Sequence, residues 1–267
     1  MKLIAAALLL AFAVIGVSAH EYWFEADSFV LKPKQSTDLH LFVGEALKMD
    51  EERPFQPEKT RSFDLFSPTG KFDMRSLADA SNSPLLRFSA DKEGTYMFVM
   101  ERDWSYITLE AAKFEEYLRD EGMEYIVTER KRLGESAKAG SERYSRFLKT
   151  LVQVGNNGTG NIKTLIGSKL EIVPLDNPYS KKVGGTVTFQ FWFDGRPLSE
   201  YTVFADNRLD GKVTTTKLTT DKQGKADVKL DRKGVWLVRL VYMQRCPRNC
   251  GNADWESFWG AISFGMK

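Results

Sequence analysis

The sequence predicts a mainly β protein in which two sandwiches of antiparallel strands are separated by a short helical region. Short segments that alternate apolar and polar residues, each closed by turn residues, run from residue 22 to 100 and again from 170 to 264. Between these two series, residues 108–133 are rich in strong helix formers. Aromatic residues make up 12% of the chain, which is typical of strands that pack against one another.

A signal segment, residues 1–19, is predicted ahead of the folded chain. Lys2 is followed by an apolar run that ends near Ile15, and Val17-Ser18-Ala19 matches the small-residue pattern that signal peptidases cut. That run is too short to span a bilayer comfortably, and no later segment is a better candidate. We therefore expect a periplasmic or secreted protein, cut between Ala19 and His20, whose mature chain does not span the membrane.

The first predicted domain, residues 20–165, begins with short strands. Residues 37–43 alternate cleanly, so that Leu39 and Leu41 face one way and His40 the other. Residues 49–59 carry many charges and two prolines, which predicts a loop. Near the end of this domain we expect a helical insertion at about 108–146, with Thr108 as its N-cap and Gly122 as a break between two helices.

The second predicted domain, residues 166–267, has the strand spacing of an immunoglobulin-like sandwich. Six or seven strands fit within about a hundred residues, and turn signals such as Asp194-Gly195 separate them. We therefore predict two immunoglobulin-like β-sandwich domains, with the helical insertion at the end of the first.

Charge and cysteine content limit the partners and the compartment. Lysine and arginine number 38 and acidic residues 36, a balance that argues against nucleic acid as a partner. The two cysteines, Cys246 and Cys250, fit one disulfide in an oxidising compartment. A thiolate metal site is the alternative, although the spacing is not the C-x2-C of zinc and redox sites.

Several sequence phrases of the mature chain form a specific set. The set includes Leu170-Glu171-Ile172-Val173-Pro174-Leu175, Asn177-Pro178-Tyr179, Asp194-Gly195-Arg196-Pro197-Leu198 and Asp254-Trp255-Glu256-Ser257-Phe258-Trp259. In order and spacing these phrases resemble a bacterial family of domains of unknown function that is described as the periplasmic component of a nickel/cobalt ABC-type transport system. The resemblance covers nearly the whole mature chain, and it implies a periplasmic address and transport of these metals.

Cleavage after Ala19 would make His20 the first residue, with a free α-amine and an imidazole that can chelate one metal ion. The only other histidine, His40, could supply a third nitrogen. Three nitrogens in this arrangement suit Cu(II) or Ni(II), and the family resemblance adds Co(II). Four acidic residues are candidate oxygen ligands: Glu21, Glu45, Asp254 and Glu256. The sequence thus predicts a metal-binding protein that supports uptake or buffering, with a membrane metal transporter as its partner.

Two other functions are compatible with the same sequence. A binding or scaffold module of the cell envelope, without metal, would recognise a carbohydrate or a protein. Four tryptophans are candidates for a sugar-binding face, Trp192, Trp236, Trp255 and Trp259, although alternation places Trp236 in the core. A copper oxidase acting on polysaccharide is the other alternative. The chain has no phosphate-binding loop, G-x-S-x-G or H-E-x-x-H motif, so we do not expect an enzyme.

Overall fold

The computed structural model describes residues 20–81, 83–158, 160 and 162–267. The predicted signal segment lies outside the described residues. Within them the protein is mainly β, as predicted, with three sheets and two short α-helices. Neither α-helix in this part of the chain is long and apolar enough to cross a membrane.

The strands and helices of the described chain are numbered in sequence order. The strands are β1 (Glu21–Ala26), β2 (Val30–Leu31), β3 (Ser36–Glu45), β4 (Lys48–Glu52), β5 (Thr60–Ser67), β6 (Gly70–Asp73), β7 (Leu86–Ser89), β8 (Gly94–Arg102), β9 (Ser105–Leu109), β10 (Gly140–Val154), β11 (Leu170–Pro174), β12 (Thr186–Phe193), β13 (Arg196–Pro197), β14 (Thr202–Leu209), β15 (Lys212–Thr219), β16 (Lys225–Lys229), β17 (Gly234–Arg245) and β18 (Trp255–Met266). The α-helices are α1 (Ala111–Asp120) and α2 (Glu124–Arg132).

One large sheet, the central sheet, runs through the whole molecule. Its described strands follow the order β15-β14-β17-β18-β10-β8-β5-β6, and β2 and β9 also pair with β10. Strands β10 and β18 are parallel, with Glu142 opposite Trp255 and Thr150 opposite Ser263. Parallel neighbours need a long connection. Here that connection contains β11 to β17.

Two smaller sheets cover opposite faces of the central sheet. The N-terminal sheet contains β1, β3, β4 and β7, and the C-terminal sheet contains β11, β12, β13 and β16. Side chains of β10 alternate between them: Leu148 and Val152 pack toward the N-terminal sheet, and Phe147 and Leu151 toward the C-terminal sheet. Because residues of a strand alternate between its two faces, a strand that is buried on both faces, such as β10, can contribute apolar side chains to two cores.

The two helices form a hairpin on the same face as the N-terminal sheet. Gly122, with φ of 72°, separates them in the left-handed conformation that glycine tolerates. The buried side of the hairpin, including Phe114 and Ile126, packs on Trp255 and Trp259 of β18. The N-terminal sheet and the hairpin therefore lie side by side on one face of the central sheet.

Several element boundaries differ from the sequence prediction. The predicted loop at residues 49–59 is wrong in its first part, because β4 pairs with β3 there and a 3-10 turn occupies Pro57–Lys59. The helix begins at Ala111 rather than Thr108, since Ser105–Leu109 pairs with β10. Residues 140–146 are also strand, so the helices occupy only 111–132 of the predicted 108–146.

The division into two immunoglobulin-like domains at 20–165 and 166–267 is not shown by the topology. Strand β10 belongs to the first range and β18 to the second, yet they are neighbours in the central sheet. That division therefore stays a prediction.

Candidate functional site

His20 lies directly before β1, at the edge of the N-terminal sheet. Its imidazole Nδ1 is 3.6 Å from Oδ2 of Asp50 in β4, and the His20 side chain is 36% exposed. Its carbonyl oxygen accepts a hydrogen bond of 2.8 Å from Nη2 of the buried Arg146. His20 thus combines a fixed backbone with an accessible imidazole beside a carboxylate.

His40, in β3, is held between two carboxylates. Its Nδ1 is 2.7 Å from Glu52 Oε1 and its Nε2 is 3.0 Å from Asp27 Oδ1, while its ring stacks on Phe42. Burial disfavours the charged ring, but hydrogen bonding and charge from Glu52 and Asp27 outweigh it and raise the pKa of His40. Both nitrogens are therefore engaged as in a protonated imidazole, which does not bind metal.

The structure does not bring the two histidines together. In the pairing of β1 with β3, Glu25 lies opposite His40 and Glu21 opposite Gly44. His20 is thus five residues along from the partner of His40, a separation of about 17 Å at ordinary strand rise. A single site with both histidines as ligands does not fit this arrangement.

Three of the four predicted acidic ligands contact arginines instead. Glu21 pairs with Arg239 at 2.5 Å, Glu256 with Arg143 at 2.5 Å, and Asp254 lies 3.5 Å from Arg245. The fourth, Glu45, is exposed at the end of β3. Within the described residues, no group of three or more histidine, cysteine or acidic side chains is arranged to hold a metal ion.

Arg239 of β17 is the centre of a buried cluster that sequence reasoning missed. Its guanidinium contacts three carboxylates: Glu21 at 2.5 Å, Asp206 at 2.6 Å and Glu121 at 2.8 Å. Burial raises the pKa of Glu21 to about 8, and Glu121 and Asp206 add to this effect while Arg239 opposes it. A cavity of about 10 Å³, enough for about one water molecule, adjoins Glu21 and Arg239.

A second cluster, also missed, surrounds the Tyr22 ring. The guanidinium carbons of Arg146 and Arg102 lie 4.1 Å and 4.9 Å from its centroid. Arg146 also lies against the rings of Tyr144 and Trp259. The only sequence signal for these contacts is an arginine within a long strand segment, because a charged side chain that becomes buried needs partners to offset its desolvation cost.

The remaining predicted features have mixed outcomes. Cys246 and Cys250 are bonded, with Cα atoms 6.2 Å apart, so the disulfide is confirmed. Trp236, Trp255 and Trp259 are at most 4% exposed. These three tryptophans therefore cannot form a sugar-binding face.

These features define a mainly β protein with buried charged clusters around its first strand and an accessible histidine before it. The family model described as Domain of unknown function (DUF4198) matches residues 17–244, most of the chain. The chain belongs to this family. None of the curated proteins matches the sequence significantly.

Proposed function

We propose that the protein is an exported transition-metal-binding protein whose mature chain begins at His20 and binds Ni(II), Co(II) or Cu(II) there. It would act in the periplasm, in uptake or buffering with a membrane metal transporter. The resemblance of the sequence to the nickel/cobalt transport component supports the choice of metals and the partner.

The observation that carries this proposal is the position of Asp50 beside His20. Ligand atoms that share a metal each lie about 2.0–2.2 Å from it. The 3.6 Å between His20 Nδ1 and Asp50 Oδ2 is compatible with one ion bound by both. The α-amine freed by cleavage would add a nitrogen to the same chelate. In this proposal Asp50 replaces His40, which was predicted from the sequence to be the additional ligand.

The surroundings of His20 favour such a chelate because its backbone is held in place. Arg146 binds the His20 carbonyl, and the backbone is paired with β3 from the next residue, Glu21, onward. A ligand whose backbone is already ordered loses less conformational entropy when metal binds. Protons on the amine and imidazole would compete with the metal, so binding should weaken in acid.

The test compares two proteins that differ only at the first residue. One begins at His20 and the other retains Ala19, which moves the free amine away from the imidazole. We expect isothermal titration with Ni(II), Co(II) and Cu(II) to give, for at least one metal, a Kd below about 10 μM for the first protein and at least about tenfold weaker binding for the second.

Two substitutions identify the other ligands. Asp50→Asn should weaken binding, while His40→Gln and the matched acidic variant Asp254→Asn should leave it unchanged. Equal affinity in the His20-first and Ala19-retaining proteins would contradict the proposal. Absence of binding to all three metals would instead favour a binding or scaffold module without metal. Mass spectrometry of the exported protein establishes its first residue.

A further inference from the structure

Three arginines converge on the part of the N-terminal sheet that contains Tyr22. Arg102 ends β8, Arg146 lies in β10, and Arg53 follows β4. Arg102 and Arg146 are 5% and 6% exposed and flank the Tyr22 ring. Burial lowers the pKa of Arg102 to about 10; the charges of Arg146 and Arg53 add to this, and Tyr22 opposes it. Arg146 and Arg53 therefore each lie close enough to Arg102 for their charges to act on it.

Each of these arginines has a buried N–H group with no hydrogen-bond partner among the described residues. The unpartnered atoms are Arg53 Nε, Arg102 Nη1 and Arg146 Nε. The hydrogen bonds that Arg102 and Arg146 do make go to neutral oxygens: Arg102 Nη2 donates to Gln56 Oε1 at 2.6 Å, and Arg146 Nη2 to the His20 carbonyl. An unsatisfied donor on a buried cation is energetically costly, so each of these N–H groups calls for an acceptor.

Two of the three arginines also lack a counter-ion. In the part of the chain that the structure describes, no carboxylate lies within 4.0 Å of a nitrogen of Arg102 or Arg146. Only Arg53, at the more exposed side, has one, Glu51 at 2.7 Å. Two other buried cations are neutralised by direct contact: Arg239 has three carboxylates, and Lys149 pairs with Glu171 at 3.1 Å. The buried Glu142 is close enough to Arg146 for the two charges to interact, but it forms no ion pair with it. The Tyr22 region thus carries positive charge that no direct contact neutralises.

We propose that Arg53, Arg102 and Arg146 form a binding site for a small oxyanion, of the carboxylate or phosphate class. Guanidinium groups present N–H donors in a planar fork that matches the oxygens of such anions. The anion would accept from the three unpartnered donors and neutralise the excess charge. Because two of the arginines are buried, the site admits a small ion and not a polymer.

The site lies next to His20 but does not depend on metal. Arg146 holds the His20 carbonyl through Nη2, and its unpartnered Nε belongs to the same guanidinium. The aromatic rings of Tyr22 and Tyr144 fix that guanidinium in place. Anion binding can therefore be measured on metal-free protein, where a failure of the metal proposal has no effect on the result.

The experiment uses the chain that begins at His20. The protein is first passed over a chelating resin to remove bound metal, and no metal is added afterwards. Inorganic phosphate and citrate are titrated separately, with sodium chloride at matched ionic strength as the reference, and binding is followed by Tm and by calorimetry. We expect a saturable rise in Tm with at least one of the two anions at concentrations up to about 10 mM. Phosphate alone, citrate alone or both would support the site and would identify the anion class.

Arg53→Gln is the test variant, because its side chain is 36% exposed and its removal should leave the fold intact. We expect at least about tenfold weaker anion binding, as for loss of one charge-assisted donor pair. Arg61→Gln is the matched control: Arg61 is exposed, lies on β5 and pairs with Asp103 at 3.1 Å. Equal binding by both variants, or no effect of either anion on the unsubstituted protein beyond that of sodium chloride, would overturn the proposal.

Discussion

At the scale of single residues, Arg239 joins three parts of the fold through its carboxylate partners. Glu21 comes from the N-terminal sheet, Glu121 follows α1, and Asp206 lies in β14 of the central sheet. Three carboxylates around one cation leave an excess of negative charge, and burial makes that charge costly. Protonation of Glu21, with its pKa raised to about 8, relieves the excess.

This protonation predicts that the protein loses stability as the pH rises toward 8. The ordinary pKa of Glu21 is 4.5 and its folded value is about 8, so between these values the folded state binds more protons than the unfolded state. The contribution of Glu21 is complete below pH 4.5 and is lost as the pH rises through 8. We expect the free energy of unfolding, measured in urea with chelator present, to fall by about 1–3 kcal/mol between pH 5 and pH 8.

Glu21→Gln mimics the protonated side chain and should make that fall smaller by about 1 kcal/mol or more. Part of the decrease in unfolding free energy with pH should remain in this variant. The pKa of His40 is also raised in the folded state, so its deprotonation likewise lowers stability as the pH rises. Glu116→Gln, on the exposed side of α1, removes the same charge and should leave the slope unchanged. If the unfolding free energy depended on pH equally in the unsubstituted protein and in Glu21→Gln, Glu21 would have to be ionised over the whole range from pH 5 to pH 8.

At this scale the sequence predicted which apolar residues are buried, but it did not predict which charged side chains contact one another. Leu39, Leu41 and Val43 are buried as their alternation requires. The carboxylate partners of Arg239 lie in three distant segments of the chain, and no local sequence pattern predicts that these side chains come into contact. The same is true of His20 and Asp50, which the pairing of β1, β3 and β4 brings together.

At the scale of elements, the helical hairpin is fastened to the free edge of β17 by tyrosine hydroxyls. Strand β14 pairs with β17 only as far as Arg239. Beyond that point, the Tyr201 hydroxyl donates to the Val241 carbonyl at 2.7 Å. The Tyr125 hydroxyl donates to the Met243 carbonyl at 2.7 Å and accepts from the Met243 amide at 3.0 Å. These contacts satisfy backbone groups that a neighbouring strand would otherwise bind.

Tyr125→Phe should therefore destabilise the protein by about 1–3 kcal/mol, because it leaves the amide and carbonyl of Met243 without their partner. Burial raises the pKa of Tyr125 to about 12, so the neutral hydroxyl is present at all pH values of interest. Urea unfolding with an unchanged m-value is the measurement. Tyr106→Phe is the control, since Tyr106 is 60% exposed; an equal effect of the two substitutions would refute a fastening role for Tyr125.

The helix boundaries show where prediction from local sequence fails. Thr108 is a good N-cap by residue type, but residues 105–109 pair with β10 and the helix starts two residues after that strand ends. Tertiary pairing outweighs a capping preference of about 1 kcal/mol. Gly122 was predicted correctly as the break, because its left-handed conformation is a local property.

At the scale of the whole molecule, the central sheet includes strands from both predicted domains. Each of β10 and β18 has side chains in more than one core, and together they form the middle of the sheet. We expect residues 20–267 to unfold in a single transition, with near-UV and far-UV circular dichroism coincident. The two fragments 20–165 and 166–267 should each lack cooperative unfolding when made separately.

The opposite result would support the predicted division into two domains. In that case the full chain would show two transitions, and each fragment would reproduce one of them. A mixture of the fragments is a useful control, because restored cooperativity on mixing would show that the parallel pairing of β10 with β18 forms between chains. The periodicity of the sequence predicted the individual strands but could not predict this pairing, which joins segments about a hundred residues apart.

The position of β18 also sets the order in which the sheet can close. This strand follows every other strand of the described chain, yet it lies between β17 and β10, and all twelve of its residues are buried. Until it arrives, the sheet consists of two halves that each present an unpaired edge, and such edges attract other chains. Closure through so distant a contact is slow. Before β18 is inserted, a chain with these two unpaired edges is therefore exposed to aggregation.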